Sequence, residues 1–113
     1  MYSQGDILLI PIPFSDLTAT KKRPVMVLSN DRYNIITDDI IVVAITSNIG
    51  NKYSEVRISN ESMLEGEIKV QSSVRVDKIY TISQSIVAKR YGSLKIEIID
   101  EVKKKLMELL WAK

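Results

Sequence analysis

The 113-residue sequence contains neither cysteine nor histidine. Without cysteine, the chain has no disulfide framework, no thiolate nucleophile and no soft metal ligand. Without histidine, it lacks the commonest general acid–base group and the commonest metal ligand of proteins. Any chemistry must therefore depend on arginine, lysine, carboxylate, hydroxyl or phenol side chains, and the sequence predicts no metal site.

Long hydrophobic runs are also absent. No segment approaches the roughly 18 apolar residues that a membrane-spanning helix requires, and the first residues lack the pattern of a signal peptide. We therefore expect a soluble, cytoplasmic protein that does not contact a membrane. The length predicts a single domain, residues 1–113, and a hydrophobic content of 45% suffices for one core. The net charge of +2 permits an anionic partner without requiring one.

Short apolar segments separated by polar turns dominate the sequence, and they predict β-strands. Three are continuous apolar runs, which are typical of buried strands: Ile7–Ile12, Pro24–Ser29 and Ile40–Ile45. Three alternate between apolar and polar residues, which is typical of half-exposed strands: Glu55–Ile58, Glu67–Gln71 and Ser73–Ile82. Between the second and third strands, residues 32–39 are predicted as a connection.

The hydrophobic period changes after Ser83. Ser85–Tyr91 fits one short helix that ends at Gly92, and Ser93 fits the N-cap of a final helix with an apolar stripe. Five or six short strands and a terminal helix predict a mostly-β fold of the α+β class, built as a small barrel.

Several segments together resemble the PemK/MazF family of toxins. These are Gly5-Asp6-Ile7, Phe14, Lys22-Arg23-Pro24 with Leu28-Ser29-Asn30, Ile45-Thr46-Ser47, Val76-Asp77-Lys78 and the segment from Ala88 to Leu94. The resemblance spans nearly the whole chain and implies an SH3-like barrel that works as a homodimer. It also implies sequence-selective, ribosome-independent cleavage of single-stranded RNA, without a cofactor and inhibited by a cognate antitoxin.

RNA is cleaved when the ribose 2′-OH attacks the neighbouring phosphorus, which requires charge stabilisation and two proton transfers. The resemblance implies that Thr46 contacts the scissile phosphate and that Arg23 also acts as a proton donor. An arginine releases its proton reluctantly, so we expect charge stabilisation to be the main role of Arg23. The planar, permanently charged guanidinium of Arg23 suits a phosphate, although a solvated loop cation is the plainer interpretation of that residue. Thr46 is predicted to hold a phosphoryl oxygen or to orient the 2′-OH, and Ser47 beside it is a candidate for the same role.

Arg75 and Asp77 are two residues apart on one face of a predicted strand, so their side chains can meet. One branch of the family carries Arg-x-Asp at this place, which makes the pair a candidate for acid–base catalysis. An ordinary surface ion pair worth under about 1 kcal/mol is an equally good interpretation. The first loop, residues 15–22, lacks the histidine of some relatives, so the sequence identifies no secure general base.

The remaining predicted RNA contacts follow from charge and analogy. Lys21 and Lys22 would add nonspecific attraction for phosphates, and the first loop would border the RNA groove. Asn48 and Gln71 are candidate readers of bases, since single-stranded RNA is recognised by stacking and by hydrogen bonds to base edges.

Two alternatives to a nuclease remain. CcdB-type toxins share the fold, poison DNA gyrase and use a tryptophan near the chain end. Trp111 lies four residues after Met107, a spacing that favours packing of the ring in the core or at a dimer interface. The other alternative is a catalytically silent barrel that binds RNA or protein.

Overall fold

The computed structural model describes residues 1–13, 20–50 and 53–111. Seven strands are present in this part of the chain: β1 Asp6–Pro13, β2 Thr20–Val27, β3 Asp39–Thr46, β4 Glu55–Ile58, β5 Met63–Gly66, β6 Ser72–Ser83 and β7 Lys89–Leu94. Two α-helices accompany them, α1 Asp31–Ile36 and α2 Ile96–Trp111, with 3-10 turns at Asn60–Ser62 and Gln84–Ile86. Phe14 and most of the predicted first loop lie outside the described residues.

All seven strands form one antiparallel sheet in the order β4-β6-β3-β2-β1-β7-β5. Strands β4 and β5 stand at opposite ends of this order, yet Val56 of β4 and Met63 of β5 pack in the same apolar cluster. The sheet must therefore curl until its two ends approach each other. The predicted fold class, a small barrel of strands with a C-terminal helix, is confirmed.

Successive residues of the central strands point to opposite faces of the sheet, and both faces are covered. Ile7 and Met26 face the inner core, which α2 closes with Ile99 and Val102. A second apolar cluster covers the other face, and its members are Leu8, Ile10, Val25, Val27, Ile40 and Val42. Burial on both faces explains why β1, β2 and β3 are continuous apolar runs in the sequence.

Four local predictions were wrong. Residues 67–71 form no strand, and they cross from β5 to β6 with Val70 exposed. Residues 89–91 form the start of β7 instead of a helix, because Lys89 and Arg90 pair with β1. The final helix begins at Ile96, since Ser93 still belongs to β7. The connection after β2 contains the short helix α1, which the Asn30 side chain caps by accepting a hydrogen bond from the Tyr33 N–H at 2.8 Å.

Strand β6 is irregular where the predicted ion pair lies. Its register against β3 moves from Ile79 opposite Val43 to Arg75 opposite Ala44, so residues 76–78 have no regular partner on β3. Such a bulge bends the strand and re-aims its side chains.

Among the described residues, no helix has both the length and the hydropathy needed to cross a membrane.

Candidate functional site

Arg23 and Thr46 lie on the neighbouring strands β2 and β3, where the two strands stop pairing with each other. The pairing of β2 with β3 runs from Val27 opposite Val42 to Val25 opposite Ala44. Arg23 and Thr46 each lie two residues beyond this last pair. Both residues line one cavity, so the fold brings together the two residues that were predicted to hold a phosphate.

A cavity of about 500 Å³ opens beside this pair. Arg23, Thr46 and Ser47 line it together with Ser72 at the start of β6. Its apolar lining comes from β1, β2, β3, residues 67–70 and β7, and consists of Ile7, Pro24, Ile45, Ile68, Val70 and Tyr91. The volume lies within the range of pockets that bind small organic ligands.

The hydroxyl of Thr46 is fixed by the turn that follows β3. Its Oγ1 accepts a hydrogen bond from the backbone N–H of Asn48 at 3.0 Å. A hydroxyl that accepts in this way keeps its own proton for a second partner. Thr46 can therefore donate to an anionic oxygen in the cavity while the Asn48 N–H holds the hydroxyl in place.

The cavity also contains charged residues that the sequence analysis did not select. Lys69 and Lys89 add positive charge to that of Arg23, and Glu67 supplies one carboxylate. The Nζ of Lys89 lies 4.8 Å from the centre of the Tyr91 ring, a cation–π arrangement that places this ammonium against the aromatic ring in the cavity. The excess of cations favours an anionic ligand.

These residues were missed for a specific reason. Residues 67–70 were predicted as a strand with alternating faces, and residues 85–91 as a helix, so neither segment was placed near Arg23. The basic and aromatic character of Lys89-Arg90-Tyr91 was the available signal, since such a combination is common in nucleic-acid sites.

Four other predicted RNA contacts are not among the described residues that line this cavity: Lys21, Lys22, Asn48 and Gln71. Lys21 and Lys22 are exposed on β2, directly before Arg23. Asn48 is exposed in the turn after Thr46, and Gln71 is exposed next to Ser72. Their positions border the cavity along the chain, and their roles stay predictions.

Arg75 and Asp77 form the ion pair that the sequence predicted. The Nε and a terminal nitrogen of Arg75 donate to the two carboxylate oxygens of Asp77 at 2.9 and 2.8 Å. The Nε also lies 4.0 Å from the carboxylate of Glu55, which is buried. Neither member of the pair is among the described residues that line the cavity.

The pair is poorly disposed to exchange protons. The hydrogen bond from Arg75 holds the pKa of Asp77 below its usual value, and the same bond raises the pKa of Arg75. An effective general base needs a pKa near the working pH, and an effective acid must release its proton there. The lowered pKa of Asp77 and the raised pKa of Arg75 both lie further from a neutral working pH than the usual values do.

A family comparison identifies the type of protein. Residues 3–110 match the model of the family described as PemK-like, MazF-like toxin of type II toxin-antitoxin system. The chain belongs to this toxin family.

Trp111, at the end of α2, lies just beyond the matched residues and is exposed. Its ring therefore lies outside the core of the single chain, and the other part of the prediction, packing at a dimer interface, stays a prediction.

Solved structures of other toxins have the same fold. A mycobacterial endoribonuclease in complex with its cognate antitoxin superimposes with a TM-score of 0.82 and 16% identity, over 100% of this chain and 98% of that one. Mycobacterium tuberculosis toxin MazF-mt6 superimposes with a TM-score of 0.75 and 18% identity, over 93% of this chain and 95% of that one. The MazE–MazF structure from Deinococcus radiodurans (Form-III) superimposes with a TM-score of 0.77 and 21% identity, over 96% of this chain and 95% of that one.

Identities this low show the shared fold of the toxin and nothing finer. No curated protein matches the sequence significantly. The case for what the toxin does therefore depends on its family membership and on the cavity beside Arg23 and Thr46.

Proposed function

We propose that this toxin is a metal-independent endoribonuclease that cleaves single-stranded RNA at selected sequences in the cytoplasm. The presence of Arg23 and Thr46 in one cavity with an excess of cations is the observation that supports this function. Family membership supports the same reaction class, and one similar mycobacterial structure is named an endoribonuclease.

In the proposed reaction the ribose 2′ oxygen attacks the adjacent phosphorus and forms a 2′,3′-cyclic phosphate, and the bond to the 5′ oxygen breaks. The Arg23 guanidinium and the Thr46 hydroxyl stabilise the negative charge that develops on the phosphoryl oxygens. Preorganised groups of this kind contribute the largest part of many enzymatic rate enhancements. The 2′ proton leaves to a base, and the 5′ oxygen receives a proton from an acid.

The sequence offers Asp77 for the base, and the geometry favours Glu67. Glu67 is a carboxylate that lines the cavity, whereas Asp77 is occupied by Arg75 on both of its oxygens. The proposal therefore gives Glu67 the proton of the 2′-OH. Glu67→Gln tests this assignment, because loss of a general base typically lowers the rate by about 10²–10⁴-fold.

The experiment that tests the function is incubation with a long single-stranded RNA in EDTA, with cut sites and end groups mapped. We expect discrete cuts by the wild type that leave 2′,3′-cyclic phosphate and 5′-OH ends. Arg23→Ala should lose about 10³-fold in rate, as arginines that stabilise phosphoryl transfer do. Arg32→Ala, in the exposed first turn of α1, is the matched control and should cleave as the wild type does.

Cuts that persist in Arg23→Ala would refute the assigned site. No cleavage of several RNAs by the wild type would refute the nuclease. That second result would favour the gyrase poison, for which the exposed side chain of Trp111 is the supporting observation.

We also propose two protein partners for the toxin. The first is a cognate antitoxin that covers the cavity, and the antitoxin complexes among the similar structures support it.

The second is another copy of the chain, supported by the exposed side chains of Met107, Leu110 and Trp111 on α2. Light scattering should give about twice the chain mass of 12.8 kDa, and a monomeric mass at micromolar concentration would refute the dimer.

A further inference from the structure

The carboxylate of Glu55 is buried at the start of β4. Its side chain is only 5% exposed, and a buried charge requires partners. The backbone N–H of Gly50 donates to Oε1 at 3.2 Å, and Arg75 lies 4.0 Å from Oε2. A Cβ added to Gly50 would lie 3.6 Å from Oε2, so the carboxylate packs closely against this residue.

These contacts link the ion pair of β6 to the chain that leaves the cavity. Asp77 holds the Arg75 guanidinium through two hydrogen bonds, and this guanidinium lies beside Glu55. Glu55 in turn holds Gly50, which lies four residues after Thr46 in the same connection as Ser47 and Asn48. The order of contacts is therefore Asp77, Arg75, Glu55, Gly50.

We propose that Asp77, Arg75 and Glu55 are positioning residues, which hold residues 47–50 after Thr46 in the conformation that the RNA meets. The inference depends on the proposed function for its consequence in cleavage, though the anchoring itself does not. Arg75 and Asp77 then affect the binding of RNA, and the proton transfers are carried out by residues that line the cavity.

Hydrogen exchange at the Gly50 amide tests the anchor directly. Glu55→Met removes the acceptor, and we expect the Gly50 amide to exchange at least about tenfold faster, since hydrogen bonds to charged groups commonly exceed the tenfold equivalent of 1.4 kcal/mol. Glu55→Gln keeps an oxygen that can accept from Gly50, so it should retain most of the protection. Glu101→Met, on an exposed turn of α2, is the control and should leave the Gly50 amide unchanged.

Kinetics distinguish positioning from catalysis. For Arg75→Met and Asp77→Asn we expect KM for RNA to rise about tenfold, with kcat within about threefold of wild type and an unchanged pH dependence of kcat. A general acid or base would instead show a fall in kcat of about 10²–10⁴-fold and lose one limb of the pH profile. Melting curves of each variant establish that it is folded.

The two proposals fail in different ways. If the wild type cleaves no RNA, the proposed nuclease is wrong, while the exchange of the Gly50 amide still tests the anchor. Unchanged protection of Gly50 in Glu55→Met would overturn the inference, and so would loss of a pH limb in Asp77→Asn. Faster exchange in Glu55→Met together with a raised KM in Arg75→Met would support it.

Discussion

Replacement of Thr46 by valine is the sharpest test of the proposal that the cavity holds a phosphate. Valine has almost the same shape as threonine, so it leaves the strand and the packing intact. It removes only the hydroxyl, which accepts a hydrogen bond from the Asn48 N–H at 3.0 Å. Thr46→Ser keeps this hydroxyl and is the matched control.

The expected magnitudes follow from the two functions of the hydroxyl. Loss of the bond to Asn48, an exposed residue whose amide water can reach, should lower the free energy of unfolding by about 0.5–1.5 kcal/mol. Loss of one donor to the transition state should lower kcat by about 10²–10³-fold. The catalytic loss therefore exceeds anything that the loss of stability explains, because nearly all of the protein stays folded.

Single-turnover cleavage of a short RNA that contains one mapped site, with urea unfolding in parallel, measures both effects. Thr46→Ser should stay within about tenfold of wild type, and Thr46→Val should lose at least about 10²-fold. Equal rates in Thr46→Val and wild type would refute contact between this hydroxyl and the phosphate. A fall in stability of several kcal/mol would show instead that the hydroxyl supports the core.

Three further predictions concern stability. Gly92→Ala should lower the free energy of unfolding by about 1–3 kcal/mol, because Gly92 has a φ of +150° and an added Cβ would collide with the Glu65 carbonyl oxygen. Urea titration measures this loss, and unfolding at the wild-type midpoint would contradict it. Asp77→Asn should be less stable than wild type at neutral pH by under about 1 kcal/mol. Since pairing with Arg75 lowers the pKa of Asp77, this difference should be present above about pH 4 and vanish as the pH falls through the lowered pKa, and a difference that persists in acid would refute it. Ile99→Ala should cost about 2–5 kcal/mol by calorimetry, since Ile99 joins α2 to the inner core, and a loss below 1 kcal/mol would show that the helix is not needed to close it.

The central strands could be predicted from the sequence because burial leaves a local record. Strands β1, β2 and β3 are covered on both faces, so their sequences are continuously apolar and bounded by polar turns. The order of the strands in the sheet leaves no comparable record in one sequence. The curl of the sheet and the meeting of Val56 with Met63 in one cluster became known only from the structure.

Two of the wrongly predicted segments show where local pattern fails. Residues 67–71 alternate as a half-exposed strand does, but no neighbouring strand pairs with them. Lys89–Leu94 pairs with β1 and β5, and these long-range hydrogen bonds outweigh a local preference for helix. Gly92 permits this arrangement by lying directly opposite Gly66, where a larger side chain would meet the backbone.

The sequence analysis selected part of the cavity lining. Arg23 and Thr46 were selected by family resemblance, and the structure places both in one cavity. Glu67, Lys89 and Tyr91 lie far from Arg23 in sequence, so their presence in the same cavity followed from no local pattern.

The register of β2 against β3 also explains why a cavity exists at this place. Strand β2 stays paired with β1 as far as Thr20 opposite Pro13, but its pairing with β3 ends at Val25 opposite Ala44. Beyond that pair β2 has a partner on one side only, and the space between the diverging strands is bordered by Arg23 and Thr46. Rigid strands therefore hold both side chains up to the point where the sheet opens. In the proposed nuclease the strand backbones hold Arg23 and Thr46 at the cavity before RNA arrives, so we expect the site to need little rearrangement.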